Sequence, residues 1–382
     1  MIQYIFLLAI LIAIFIRLKF RFWAIQPVFH IYDIHHWLNT NHVIDSVLPN
    51  INRYVKLIDI ETKNIKNLSQ EEKIAFTNFI CENYLDKYFP EVDDIFPYFS
   101  TTLHESYLSV FLDNTFKSSS SNLNYNGRDV IGLITSRPLF LTFYGREPII
   151  INYIDNLNVR IDKRNRGVAP NLIQTHHYRI RHINNSINVC MFKRESDMTA
   201  IVPLTLYTTK EFDMLDICYK RVKFTERLVK IDKSNFSHFK DIIKTCASRF
   251  KCTLNIEQLT LFKLVMLSKI VIYVLLTGNE PICCYVLRKN PYEDVKYVDL
   301  ITSINCAPCI DSFFAGFQSV CRREIRKQNT SRINIEGLGD SCQLLNEIQE
   351  RGIEPLSHCP NAFFLYNYVT YSINPDTCLF IY

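Results

Sequence analysis

The 382-residue chain contains no HExxH motif, and no second spaced cysteine pair accompanies Cys306 and Cys309 of the CAPC segment. Neither a metalloprotease site nor a four-ligand structural zinc site therefore has its ligands. His35–His36 and His176–His177 lack ligand partners at metal-binding spacing, so no metal is expected. The thirteen cysteines are odd in number and follow no framework spacing. A chain this long does not need disulfide staples, which points to reduced thiols in a cytosolic setting. Without a thioredoxin-like context, Cys306 and Cys309 read as buried structural thiols near a helix start. A large charge excess is missing too. The net charge of +5 suits a polyanionic cofactor or an anionic membrane surface, but without a concentrated patch it gives no reason to expect nucleic acid. The Asn-x-Ser/Thr triplets at Asn67, Asn184, Asn235 and Asn329 matter only in a lumenal protein.

What is present is an ordinary globular composition, 48% hydrophobic and 21% charged, long enough for one large or two medium domains. It opens on MIQYIFLLAILIAIFI, closed by Arg17, Lys19 and Arg21. This run lacks a charged n-region and a small-residue cleavage site, so it reads as a single-pass transmembrane anchor over residues 1–19 rather than a signal peptide, with a buried first helix of a soluble protein as the other reading. Cations on its C-terminal flank leave the folded domain in the cytoplasm.

Residues 149–173 carry the most suggestive local pattern. A β-branched run reads as a buried strand, followed by Arg160, Lys163, Arg164 and Arg166 around a single glycine, Gly167. Pro170 then stands where a first helical residue would, and apolar residues at 172, 173, 180 and 183 carry helical spacing. A strand, a cationic loop and a helix N-terminus together gather positive charge and backbone N–H groups around one point, a ready site for a pyrophosphate.

Before it, residues 51–64 read as a strand entering a turn, and Ser69-Gln-Glu-Glu reads as a capping box opening a helix over 69–88. A polar turn at 118–126 precedes a hairpin of 130–135 and 139–143 across Ser136-Arg137-Pro138. After the helix, residues 187–192 read as a strand. The second half predicts helices at 236–250 and 256–267, then a hairpin across Thr277-Gly278-Asn279-Glu280. A strand at 296–301, a helix at 310–326, a strand at 332–336 and a helix at 341–351 follow. The closing CLFIY is apolar and is expected to bury. Antiparallel strands, then strand, loop and helix, occur twice.

Three stretches resemble the N-myristoyltransferases, acyltransferases built from two GNAT-type repeats. RNRGVAP is similar to their acyl-CoA pyrophosphate loop. Phe22, Trp23, Gln26, Pro27 and Val28 match their Phe-Trp-x-x-Gln-Pro-Val arm, which lies against the CoA. AFFLYNY resembles their Tyr-Leu-Tyr-Asn-Trp strand. More loosely, Asn83, Tyr84, Asp86, Phe96 and Tyr98 match a stretch forming part of the peptide-binding wall.

The resemblance implies an α/β (α+β) fold of two tandem GNAT-like repeats, with a mixed central sheet flanked by helices, plus the N-terminal hydrophobic helix. It places acyl-CoA binding in residues 20–215, and peptide binding with the C-terminal carboxylate in 216–382. It implies transfer of a long-chain acyl group from myristoyl-CoA, a co-substrate, to the N-terminal glycine amine of a peptide or protein, with no prosthetic group. An α-amine with a pKa of about 7.7–8.0 must lose a proton before it attacks, and the family's base is the terminal carboxylate, here that of Tyr382. The oxyanion donors would be the backbone amides of Asn156 and Leu157. Phe22, Trp23, Arg164, Asn165, Arg166, Gly167, Val168 and Ala169 would hold the CoA. Tyr84, Asp86, Phe96, Tyr98 and Lys193 would contact the peptide.

This chain departs from the family pattern on the peptide side. The Asn before the oxyanion pair is Asp155, free to take a proton itself or to pair with Lys193. The family's Thr-Ala-Gly is Lys193-Arg194-Glu195, and its Gly-Asp-Gly loop is Ser357-His358-Cys359-Pro360. A catalytically inactive scaffold that binds acyl-CoA or acylated peptide at a membrane is the alternative. A small-group acetyltransferase of the same fold is disfavoured by the Gln-Pro-Val signature.

Overall fold

β-Branched and aromatic runs form the sheet, as in Ile149–Val159 and Ile270–Thr277. The computed structural model describes residues 2–84, 88–113, 124–125, 128–195, 200–218, 226–291, 297–328 and 331–382. In the first half, Tyr107–Asp113, Arg128–Phe143 and Ile149–Val159 are antiparallel neighbours. The helix Val168–Ile183 then crosses to Val189–Glu195, which pairs parallel with Ile149–Val159. The second half repeats this order. Ile270–Thr277, Glu280–Asn290 and Tyr297–Asn305 are antiparallel, and the helix Ile310–Gln328 crosses to the parallel strand Arg332–Glu336. This is the mixed α/β architecture of two GNAT-like repeats.

The halves interlock in one sheet. Thr205–Asp213 pairs with Arg332–Glu336 from the second half, and Ser357–Tyr366 lies between Val189–Glu195 and Thr205–Asp213. The last strand, Cys378–Ile381, runs parallel to Cys252–Asn255, which pairs in turn with the end of Arg128–Phe143. Every residue from Cys378 to Tyr382 is at most 2% exposed, so the chain ends inside the main core.

Local signals explain most elements. Ser69 accepts from the Glu72 N–H while Glu72 accepts from the Ser69 N–H, opening the helix Gln70–Asn83. Gly278, at φ 61°, makes the two-residue turn between Thr277 and Glu280. The hairpin expected across Ser136-Arg137-Pro138 does not form, because Arg128–Phe143 is one strand. On one side its partner Tyr107–Asp113 ends at Ser136, and Cys252–Asn255 begins at Phe140. Residues 137–139 thus have a neighbouring strand on one side only, where a sheet tolerates proline. The polar turn expected at 118–126 lies largely outside the described residues.

The transmembrane anchor expected over residues 1–19 is not supported. Ile2–Lys19 is a helix of 18 residues, about 27 Å long at the α-helical rise, against a hydrocarbon core of about 30 Å. Among the described residues no helix is long and apolar enough to cross a membrane. Tyr4, Leu8, Ile10, Leu11, Ile12, Ile14, Phe15 and Leu18 of this helix are exposed, and their spacing spreads them over more than one face.

Candidate active site

A cavity of about 810 Å³ runs from the helix Val168–Ile183 across the sheet to the chain terminus. One part of its wall is apolar, formed by Trp23, Ile134, Ile154, Ile173, Ile180 and Phe192. These residues belong to two adjoining hydrophobic clusters. The Trp23 ring stacks on Phe192 with centroids 5.4 Å apart, and Phe192 stacks on Phe364. This fixes the aromatic arm against the sheet, while Phe22 packs edge-on against Trp23 and Tyr54 outside the cavity.

The other part is charged and centres on Glu336, which is 2% exposed. The Tyr382 hydroxyl donates to its Oε1 at 2.8 Å, Lys193 Nζ to Oε1 at 3.2 Å, and the Tyr207 hydroxyl to Oε2 at 3.0 Å. Arg288 lies 3.1 Å from Asp299 and 3.7 Å from Glu336, with its guanidinium over the Tyr382 ring. Beside this cluster, Arg137 donates to Asp155 at 2.6 Å and is held between the rings of Tyr98 and Tyr153. Burial opposes the Lys193 ammonium, but Glu336 and then Tyr382 outweigh it and hold its pKa above the usual lysine value. Burial, reinforced by Glu336, pushes the Tyr382 phenol up to about 12. Its hydroxyl is therefore a donor at neutral pH.

The central strand is irregular where it meets the cavity. Its register with Arg128–Phe143 shifts between Leu133 and Thr135, and Asn156 takes a positive φ of 31°. Asn156 Nδ2 donates to Thr135 Oγ1 at 3.2 Å. Asp155, Asn156 and Leu157 all line the cavity. Asp155 is paired with Arg137 and not with the Lys193 considered from sequence. The bulge re-aims the backbone at the wall, as bulges beside functional sites do.

The basic loop stands outside the cavity, at the start of a helix whose later residues Ile173, His176, His177 and Ile180 line it. Two of the loop's cations are engaged: Arg160 with Asp162 and Lys163 with Asp113. Arg164 donates to the carbonyls of Asn83 and Val159, whereas Arg166 is exposed. Asn165 at φ 61° and Gly167 at φ 79° turn the chain into the helix, so the first-turn amides of Val168 and Ala169, which lack intrahelical partners, follow directly.

Of the remaining expected residues, Tyr84, Tyr98, Lys193 and Tyr382 line the cavity. Phe96 packs against a separate hydrophobic cluster, and Asp86 lies outside the described residues. Among the described residues no cluster of three metal-ligating side chains occurs. Cys306 corrects the expectation of buried thiols: it is exposed, four residues before the helix that starts at Ile310. A hydrogen bond with Cys246 brings its thiol down to about 7. Sequence reasoning missed Arg137, Arg288, Asp299 and Glu336. The available signal was a charged residue within or at the end of a strand, as where Glu336 closes RINIE.

No protein-family model matches the chain, and no curated protein does. Solved structures do. Two structures of Saccharomyces cerevisiae N-myristoyltransferase with bound myristoyl-CoA are similar to it with TM-scores of 0.68 and 0.69, at 14% and 13% identity. They cover 93% and 94% of this chain and 94% and 91% of theirs. A third, with bound myristoyl-CoA and inhibitors, gives 0.68 at 14% identity over 94% of this chain and 92% of its own. The chain therefore has the N-myristoyltransferase fold, and its activity must be argued from the site.

Proposed function

We propose that the protein transfers a long-chain acyl group from acyl-CoA, with myristoyl-CoA as the reference donor, to the N-terminal glycine amine of a peptide or protein. One observation carries this reading: the buried chain terminus at Tyr382 lines the same cavity as the bulge at Asn156 and Leu157. The Tyr382 α-carboxylate takes a proton from the glycine ammonium. The freed amine attacks the thioester carbon, and the backbone amides of Asn156 and Leu157 receive the developing oxyanion, a contribution of about 2.7–4 kcal/mol per donor. The C–N bond forms, the C–S bond breaks, and CoA leaves as the thiol with the amine's second proton. The loop Arg164–Ala169 and the arm at Phe22 and Trp23 hold the CoA, with residues 20–215 serving the donor and 216–382 most of the peptide. Tyr84, Tyr98 and Lys193 form the peptide wall. The exposed apolar residues of the N-terminal helix support attachment to a membrane at its cytosolic face, which flotation with anionic vesicles tests.

The charged cluster favours a second reading, an acyl-CoA or acyl-peptide binder without turnover. Lys193 and Asp155, which replace neutral family residues, are tied to Glu336 and Arg137. Removing Ile381 and Tyr382 separates the two: transfer to a glycine-initiated peptide should vanish while myristoyl-CoA affinity stays. Full transfer in the truncated chain would remove the terminal carboxylate as base. Tight binding by the intact chain without any transfer would establish the binder.

A further inference from the structure

The cavity-lining face of the helix Val168–Ile183 reads Ile173, His176, His177, Ile180. Two imidazoles thus interrupt an apolar stripe in the apolar part of the cavity. They lie eight and nine residues past Val168, about 12–14 Å along the helix axis. His176 is 1% exposed. Its Nδ1 lies 2.7 Å from Ser109 Oγ, which is itself 2.6 Å from Thr62 Oγ1. This chain of polar groups ends at His176 Nε2, which has no partner. His177 packs edge-on to the Tyr366 ring at 4.7 Å, and its Nδ1 meets Cys190 Sγ at 3.9 Å. The Tyr366 hydroxyl is already engaged with Gln26 Oε1 at 2.7 Å, and Gln26 Nε2 is likewise without a partner. Burial drives both imidazoles down to about 3, so each is neutral, with one donor and one acceptor nitrogen.

A pocket meant only for saturated hydrocarbon gains nothing from such a wall. A plain chain laid against it leaves a buried ring nitrogen unpaired, and desolvating that nitrogen weakens binding. From these observations, and resting on the acyl-CoA reading above, we propose that the preferred donor carries a hydrogen-bonding group, specifically a hydroxyl, on the acyl chain that lies along this apolar wall. His176 is the residue that selects it. A hydroxyl both donates and accepts, so it satisfies Nε2 whichever tautomer the Ser109 contact imposes. Selection works by pairing: a site built to hydrogen-bond a substrate group rejects the analogue lacking it, because its own polar atoms are then left bare.

The test is equilibrium binding of the full-length chain to 14-carbon acyl-CoAs, one unsubstituted and the others bearing a single hydroxyl at successive carbons along the chain. At least one hydroxylated isomer should bind about tenfold more tightly than the unsubstituted chain. His176→Leu should abolish that advantage while retaining the unsubstituted ligand. The inference is overturned if the unsubstituted acyl-CoA binds the wild-type protein as tightly as every isomer, as it would if water fills the gap; the acyltransferase reading then stands untouched. If no acyl-CoA of either kind binds, that reading falls and this one with it. Should His176→Leu fail to fold, the wild-type series decides alone.

Discussion

Acidification to pH 5 should strike this fold through His176 and His177. Both are buried, 1% and 7% exposed. Desolvation holds each at about 3, with the Arg181 charge adding to the effect at His177. In the unfolded chain each returns to about 6.5. Below that value the unfolded state binds protons that the folded state refuses, so this contribution is complete above about pH 6.5 and is lost progressively as the pH falls towards 3. At pH 5 an unfolded imidazole is about 97% protonated while a folded one remains neutral, which costs about 2 kcal/mol per histidine. Together the two remove about 4 kcal/mol, a large part of a typical net stability of about 5–15 kcal/mol. Urea unfolding at pH 7.5 and pH 5 measures the loss. His176→Phe keeps a ring of similar size and cannot titrate, so its drop between the two pH values should be smaller by about 2 kcal/mol. The carboxylates and the remaining histidines cancel in that comparison. Identical drops in the two proteins, or a His176 ring resonance titrating near 6.5, would refute the reasoning.

Replacing Glu336 by Leu leaves Lys193 buried beside a lost partner and should cost about 3 kcal/mol in urea unfolding, most of it recovered when Lys193→Met is added; a double variant as unstable as the single one would show that the pair is not the source. Gly132 lies beneath the helix that follows the basic loop, where an added Cβ would stand 2.8 Å from Leu172 Cδ1 and 3.1 Å from Val168 Cγ1. Gly132→Ala should therefore destabilise by about 1–3 kcal/mol and weaken myristoyl-CoA binding in calorimetry, whereas unchanged values of both would mean that the helix shifts freely. Gly167, at φ 79°, has no neighbour within 4 Å of an added Cβ, so Gly167→Ala meets backbone strain alone, about 1 kcal/mol. Its thermal midpoint should move little while acyl-CoA affinity falls; an unaltered affinity would dissociate the loop from the cofactor.

How much was legible in the sequence depended on how far apart the interacting residues lie. The capping box at Ser69, the turn at Gly278 and the alternation of strands with crossing helices are local, and each stands where its residues imply. The strand through Ser136-Arg137-Pro138 reads as a turn because Pro138 withdraws a ladder donor. Only the sheet reveals that two different strands, ending at Tyr107 and Asn255, leave a gap opposite it. The charged cluster lies further out of reach, since Lys193, Arg288, Glu336 and Tyr382 come from four separate strands or their ends, and no local spacing relates them. What sequence does record is the anomaly: a glutamate closing RINIE, two histidines within an isoleucine stripe. Helical periodicity marks the histidines as facing inward, whereas strand alternation puts Glu336 on the face of Arg332 and Asn334, opposite Ile333 and Ile335; neither pattern says whether the residue meets a partner or a cavity. For Glu336 the answer is three donors within 3.2 Å. For His176 it is one hydroxyl on one side and an unpartnered nitrogen on the other. Two buried polar residues thus separate into one that holds the site together and one whose nitrogen has no protein partner.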